Sequence, residues 1–265
     1  MPFTSTINPV LFHLGPLEIR YYGIVYALGF LSAVPYLKWV NKRGILKLSD
    51  DDIYDLVFYM MLGTLVGGRL FSTLIWYPSH YLSNPLEIFM IWKGGMAFHG
   101  SFIGVVLGTW WGCREKGIDL GRMLDITCLP FVFFLGVGRL ANFVNGELYG
   151  PVTDAKWCVN FPNVEGCRHP YQLYSALKRF LMVPLLILLY RRPHKDGFVF
   201  VMMGLMFGVG RFMLDFWRED SLYYGLSIGQ WSSVAVFGIF GSIAVKYYRE
   251  DLKGLVTSWK RPKPQ

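Results

Sequence analysis

Polar and apolar positions along this chain come in long blocks, not in the short alternations of a sheet or the narrow stripes of a soluble bundle. Three blocks carry no charged residue for long enough to cross a bilayer: Tyr21–Leu37, Gly94–Cys113 and Ser221–Val245. A crossing helix takes about 20 mainly apolar residues. Four further blocks, about Tyr54–Trp76, Met123–Asn142, Tyr171–Tyr190 and Gly197–Trp217, are apolar but interrupted by isolated charges. The pattern predicts an all-α polytopic membrane protein with seven transmembrane helices, forming one integral-membrane domain over residues 1–265. The first apolar run lacks the basic flank and small-residue cleavage site of a leader, so it is predicted as a span.

Lys and Arg fall unequally on the two sides of these spans. One set of loops holds sixteen of them, in Lys38–Lys47, Arg114–Arg122, Arg191–Lys195 and Lys246–Lys263; the other set holds five, Arg20, Lys93, Lys156, Arg168 and Arg218. The positive-inside rule then places the N-terminus outside and the C-terminus, with a basic tail over about 249–265, in the cytoplasm. A net charge of +8 is accounted for by this asymmetry and by anionic lipid, so nucleic acid is not expected as a partner.

Composition changes the picture little. Apolar residues are 53% and charged residues 17%, against roughly 25% charged in soluble domains. This excludes a disordered chain, a disulfide scaffold and a coiled coil. The largest external piece, about 145–170, is rich in Gly, Pro, Asn and Asp and is predicted as a small irregular or short-stranded cap. The stretch Tyr77–Lys93, with Trp76, Tyr77, Tyr81 and Trp92 in and beside it, suits a segment lying at the membrane interface. Cys158 and Cys167 share the external loop, where both a bridge and two free thiols are open; the bridge is the prediction taken. Cys113 and Cys128 lie near cytoplasmic ends of spans. No ligand spacing indicates a metal or a cofactor.

The remaining Lys and Arg fall inside spans: Arg69, Arg139, Lys178, Arg179 and Arg211. Charge at a helix centre costs at least about 2.5–3.5 kcal/mol and marks function or a buried pair. At 1.5 Å per residue, Arg69, Arg139 and Arg211 lie about 22, 24 and 21 Å above the cytoplasmic ends of their spans. His99 lies about 7 Å below the outer face by the same measure, and Tyr22 heads the first span. Five elements thus place polar groups in the outer half of the bilayer. With Asn142 and Asn145 they form an anion-binding set, because the Arg fork matches phosphate. Asp215, four residues after Arg211, is positioned to orient or neutralise it, and Glu147 to hold an arginine or bind substrate. Lys178 and Arg179 are expected to snorkel to an aqueous rim. The glycines at 204, 208 and 210 are expected in helix packing, and Gly94, Gly95 and Gly100 allow close backbone approach. Alone, Arg69, His99 or the Arg211–Asp215 pair also fits a structural role. The set as a whole fits a transporter for an anionic solute as well as a lipid site.

Several runs resemble, in order, the landmarks of the bacterial prolipoprotein diacylglyceryl transferases. They are Tyr21-Tyr-Gly23, Gly67-Gly-Arg69, Gly94-Gly-Met-Ala-Phe-His-Gly100, Gly136-Val-Gly-Arg-Leu-Ala-Asn-Phe-Val-Asn-Gly-Glu147, His169-Pro-Tyr-Gln-Leu-Tyr174, Arg211-Phe-Met-Leu-Asp-Phe-Trp-Arg218 and Ser227-Ile-Gly-Gln230. The resemblance implies seven spans with the N-terminus outside, in a bacterial plasma (inner) membrane, with the active site toward the outer leaflet. It implies transfer of the diacylglyceryl group of phosphatidylglycerol to the lipobox cysteine of a preprolipoprotein signal peptide, with no cofactor. By matching position, His99, Arg139 and Arg211 are the expected catalytic residues. Arg139, Tyr22, Gly100, Asn142, Asn145, Glu147, Asp215 and Arg69 are expected on substrate. Asp215 stands where a glutamate is usual, Phe207 where a tyrosine is usual, Ser175 for a glutamate and Ser101 for a glycine. These departures leave room for a phospholipid-binding relative without turnover.

Overall fold

The computed structural model describes residues 3–14, 17–90 and 94–257. Among these, the α-helices are α1 (Tyr21–Lys42), α2 (Asp50–Phe71), α3 (Pro78–Ser83), α4 (Phe98–Lys116), α5 (Leu120–Val144), α6 (Tyr171–Tyr190), α7 (Phe198–Leu214), α8 (Ile228–Tyr247) and α9 (Arg249–Thr257). A π-helical turn, Ser72–Trp76, prolongs α2, and a 3₁₀ turn, Asp215–Trp217, prolongs α7. Short strands complete the chain: β1 (Phe3–Thr4) runs parallel to β4 (Val159–Asn160), β2 (Val10–Leu14) pairs antiparallel with β3 (Leu17–Arg20), and β5 (Leu222–Tyr223) with β6 (Leu226–Ser227).

Six helices are long and apolar enough to cross a membrane: α1, α2 through Trp76, α5, α6, α7 through Trp217, and α8. They match six of the seven predicted blocks. The seventh, Gly94–Cys113, is realised as α4, which starts at Phe98 and takes in Arg114, Glu115 and Lys116. Its 19 residues include four glycines, His99, Trp110 and Trp111, and this composition keeps it below the apolarity of the other six. The chain divides into two compact units, residues 30–124 and residues 1–29 with 125–265.

In the 30–124 unit, α2 and α4 pack along glycine faces. A methyl group on Gly63, Gly67, Gly100, Gly104 or Gly108 would run into main-chain atoms of the facing helix. Small residues at this spacing let two backbones approach to van der Waals contact where no hydrophobic force drives association. A capping box between Ser49 and Asp52 starts α2. At the same end of the pair, Lys116 reaches Asp52 (2.9 Å) and Asp55 (2.6 Å), and Tyr59 donates to Glu115 (2.7 Å). The aromatic segment after α2 forms α3 and a 3₁₀ turn, Pro85–Phe89, with Tyr81 buried and Trp76 and Tyr77 exposed. Trp92 and Lys93 lie outside the described residues.

In the other unit, α5, α6 and α7 share a core of Cys128, Val132, Met182, Leu186, Val199 and Met203. Buried Asp125 on α5 caps α7 by accepting the N–H groups of Gly197 (2.8 Å) and Phe200 (2.7 Å). Gly204 and Gly208 pack α7 on α8 beneath Phe240 and Phe237, as expected; Gly210 instead lies under the Lys178 side chain. Leu177, Leu181, Leu185 and Leu188 form an outward stripe, each at least half exposed. An apolar face that wide is out of place against water and suited to lipid. The 145–170 stretch holds β4 and isolated bridges from Arg168 to Val152 and Val159, and Cys158 is bonded to Cys167 with a Cα–Cα distance of 5.4 Å. Cys113 and Cys128 are free and buried. Of the basic tail, α9 is described; Lys260, Arg261 and Lys263 lie outside the described residues.

Candidate active site

Helix α5 ends in a way that builds a polar cluster. Gly146 takes φ 66°, the left-handed position that glycine fills at helix C-termini. The chain thereby folds back, and the Glu147 N–H donates to Asn142 O at 3.1 Å. That turn brings the Glu147 carboxylate to the side-chain amides of Asn142 (2.7 Å) and Asn145 (3.1 Å). Gln172 on α6 donates to the Glu147 carbonyl at 2.6 Å. With both amides donating to Glu147, the Asn142 carbonyl oxygen faces Arg139, 3.4 Å from Nη1.

That long contact is the one hydrogen bond of the Arg139 guanidinium among the described residues, and no carboxylate lies at ion-pair distance from it there. Its electrostatic neighbours are Tyr171, Arg211, Arg218 and Tyr22. Arg139 is a half-buried cation inside an apolar helix with most of its five donors uncommitted.

Arg211 is placed differently. Its Nε lies 3.3 Å from Asp215 Oδ2, one turn along α7, at ion-pair distance but out of hydrogen-bond alignment. Asp215 is buried and accepts from the Tyr171 hydroxyl at 2.5 Å. Gly229 makes room for both: a Cβ there would meet Asp215 and Arg211. The Ser227-Ile-Gly-Gln230 run is a capping box that starts α8 beside them. Arg218 pairs with Asp220 at 3.2 Å and lies over the Tyr171 ring. Burial pushes the Asp220 carboxyl above its ordinary range, against the pull of Arg218. Tyr22 shares a hydrogen bond of 3.3 Å with Tyr26.

The unit thus gathers Arg139, Asn142, Asn145, Glu147, Arg211 and Asp215, with Tyr22 in the field of Arg139. Tyr171 and Gln172, which sequence reasoning did not select, tie the parts together. Lys178 and Arg179 do not snorkel. Arg179 is buried, bonded to Ser175, with its guanidinium 5.1 Å from the Phe207 ring; Lys178 Nζ stands 4.9 Å from the same ring.

Three expected residues belong to the 30–124 unit. Arg69 is buried and all its nitrogens are engaged by main-chain carbonyls: Nε by Ile88 (2.8 Å), Nη1 by Gly94 and Gly95, Nη2 by Glu87 and Met90, with Tyr81 stacked on the guanidinium. A guanidinium so committed holds the carbonyls of Glu87, Ile88, Met90, Gly94 and Gly95 and has no fork left for substrate. Gly100 is buried against Gly67 and Phe71, a packing position instead of a ligand contact. His99, exposed in the first turn of α4, is flanked by the rings of Phe98 and Phe71 at 5.8 and 6.1 Å.

Six helices long and apolar enough to cross a membrane, with arginines held inside them, define a helical membrane protein with a cationic polar cluster. The description "prolipoprotein diacylglyceryl transferase" is carried by the family model that matches residues 9–246. A phosphatidylglycerol–prolipoprotein diacylglyceryl transferase of Geobacter sulfurreducens is 42% identical over 228 residues, covering 85% of this chain and 88% of the relative. Relatives of the same description from Oleidesulfovibrio alaskensis (40% over 231 residues, 84% and 85% covered) and Pseudomonas fluorescens (35% over 259 residues, 93% and 96% covered) match as broadly. The chain belongs to the prolipoprotein diacylglyceryl transferase family.

Proposed function

We propose that this protein transfers the diacylglyceryl group of phosphatidylglycerol to the lipobox cysteine thiol of preprolipoproteins, the first step of lipoprotein maturation. The observation that carries the reading is Arg139: a guanidinium within a span, with no carboxylate partner among the described residues and with Arg211 in its field. Two such forks suit a phosphodiester. The reading counts α4 as a seventh span, its glycine face taken up by α2. It puts the N-terminus outside, the C-terminus in the cytoplasm and the disulfide-bearing 145–170 stretch outside as a cap. The whole chain acts as one transferase domain in the bacterial plasma membrane, its site toward the outer leaflet.

The chemistry follows from these residues. A thiol has an ordinary pKa near about 8.5, and its thiolate is the nucleophile. The thiolate attacks the glycerol carbon that carries the phosphate ester oxygen. A C–S bond forms, that C–O bond breaks, and its electron pair leaves on glycerol phosphate. Charge builds on the leaving phosphate, where fixed donors in a poorly hydrated site act more strongly than water does. Arg139 and Arg211 supply those donors. Asp215 and Tyr171 fix Arg211; Asn142, Asn145 and Glu147 fix the end of α5. His99 takes the proton of the thiol, and Tyr22 closes the substrate side near Arg139. Arg69 shapes the segment preceding His99.

The test is a purified-protein assay with labelled phosphatidylglycerol and a lipobox peptide. Release of glycerol phosphate that depends on the peptide cysteine supports the transferase. Phosphatidylglycerol binding without release identifies a lipid-binding protein instead, and neither binding nor release refutes both.

A further inference from the structure

Between α6 and α7 runs a groove of about 650 Å³. Its α6 wall includes Leu177, Leu181 and Leu185, and its α7 wall Leu205 and Val209. The polar exception deepest along α6 is Lys178. Its side chain crosses α7 at Gly210, where a Cβ would strike Lys178 Cδ at 2.6 Å. Lys178 has no hydrogen bond or salt bridge among the described residues; its ammonium rests on the Phe207 ring at 4.9 Å. Arg179 lies against the same ring, 3% exposed, with its Nε buried and without a hydrogen-bond partner. The electrostatic neighbours of Lys178 are Arg179, Arg211 and Arg139, against Asp215 alone.

Around Lys178 the cations Arg179, Arg211 and Arg139 outnumber the one carboxylate, Asp215, and an anion here would offset charge that is costly at membrane depth. The groove shows which anion. From Lys178 to Leu185 it runs for about 10 Å along the helix, with leucines on both walls; the cation stands toward one end, with Tyr174, Leu177 and Leu214 lining the groove beyond it. That end is the Tyr171 end of α6, the side that carries few Lys and Arg in the adjoining loops. A cation toward one end of a long apolar slot is complementary to an amphiphile with an anionic head and a hydrocarbon chain.

We propose that the α6–α7 groove is a binding position for an anionic phospholipid, with one acyl chain laid along Leu177, Leu181, Leu185 and Val209 and the phosphodiester on Lys178. The position deepens the transferase reading, on which it rests: it is where the donor lipid is selected by charge, beside Arg211 and ahead of reaction. Lys178 is a specificity residue here. It makes no bond to the reacting carbon, and Gly210 leaves the space that its side chain occupies across α7.

The experiment uses the full chain in nanodiscs of phosphatidylcholine doped with a chain-diazirine phosphatidylglycerol or, in a parallel arm, chain-diazirine phosphatidylcholine. After irradiation, adducts are mapped by peptide mass spectrometry. Adducts on Tyr174–Leu185 and Leu205–Leu214 are expected to favour phosphatidylglycerol about tenfold, the scale of one charge-assisted contact. Lys178→Gln is expected to remove that preference, Lys178→Arg to keep it, and Leu181→Trp to lower labelling by both lipids. Equal labelling by the two lipids in the wild type, meaning annular lipid only, overturns the proposal. So does a preference that survives in Lys178→Gln. Glycerol phosphate release measured on the same preparations separates the two readings. Selective labelling without peptide-dependent release overturns the transferase and leaves the groove. Normal release with unselective labelling does the reverse.

Discussion

Arg139 and Arg211 look alike in the sequence, and the structure predicts that their removal will have opposite signatures. Arg139→Ala strands no carboxylate: Glu147 stays held by Asn142 and Asn145, and Asn142 loses a contact that was already 3.4 Å long. Removing an unpaired cation from a span relieves a cost of at least about 2.5 kcal/mol if it is central, so the variant is expected to fold at least as stably as the wild type. Its loss is in phosphate recognition. A hydrogen bond to a charged group contributes about 1.5–3 kcal/mol, so phosphatidylglycerol binding should fall about tenfold to a hundredfold, and turnover further as leaving-group charge grows. Arg211→Ala leaves Asp215 fully buried with only the Tyr171 hydroxyl at 2.5 Å. Stranding one partner of a buried pair costs about 3–5 kcal/mol. The assay measures thermal unfolding in detergent beside phosphatidylglycerol binding and turnover, for both variants. Equal destabilisation by the two substitutions, or an Arg139→Ala protein that turns over at the wild-type rate per folded molecule, refutes the assignment of Arg139 to substrate.

Further outcomes follow from single contacts. Arg211→Lys keeps a charge for Asp215 but loses the planar fork, so stability should change little while turnover falls at least about tenfold, read from the initial rate of glycerol phosphate release. Gly104→Val should cost about 1–3 kcal/mol through overpacking against Gly63, read as a lowered unfolding temperature. Arg69→Met should raise amide hydrogen exchange over 85–90 and 94–97, because the carbonyls it gathers lose their shared donor. Alkylation of the denatured, unreduced chain should modify Cys113 and Cys128, and all four cysteines only after reduction.

Most of the fold was legible because the bilayer forces one readable pattern. Apolar blocks long enough to cross, four of them interrupted by isolated charges, became α1, α2, α5, α6, α7 and α8, with boundaries shifted by a few residues. Helix α4 was read from its lack of charge, and the structure shows what that reading passed over. Gly100, Gly104, Gly108 and Gly112 recur every four residues, a single helical face, facing Gly63 and Gly67. The spacing was available in the sequence and specifies close helix packing, not ligand contact. It is why Gly100 is buried. The tendency of Cys158 and Cys167 to meet was open in the sequence; the short strands between and around them close the loop to 5.4 Å between Cα atoms.

The site was legible in residue type and illegible in partnership. Charge inside apolar blocks identified Arg69, Arg139, Lys178, Arg179 and Arg211, with Lys178 and Arg179 expected to snorkel, yet it did not show which acceptor each one meets. What separates them is the acceptor each one finds. Arg69 finds five carbonyls from a loop about twenty residues on; such acceptors belong to every residue and leave no trace in composition. Arg211 finds Asp215, which the four-residue spacing foretold. Arg179 finds Ser175 one turn back, the same spacing, but a serine carries no signal of opposite charge. Arg139 finds almost nothing, and only a structure can show an absence of partner. A cation is cheap to keep where a protein group neutralises it and costly where none does. The costly ones, Arg139 and Lys178, are therefore the two at which an anion from outside the protein has the most to contribute.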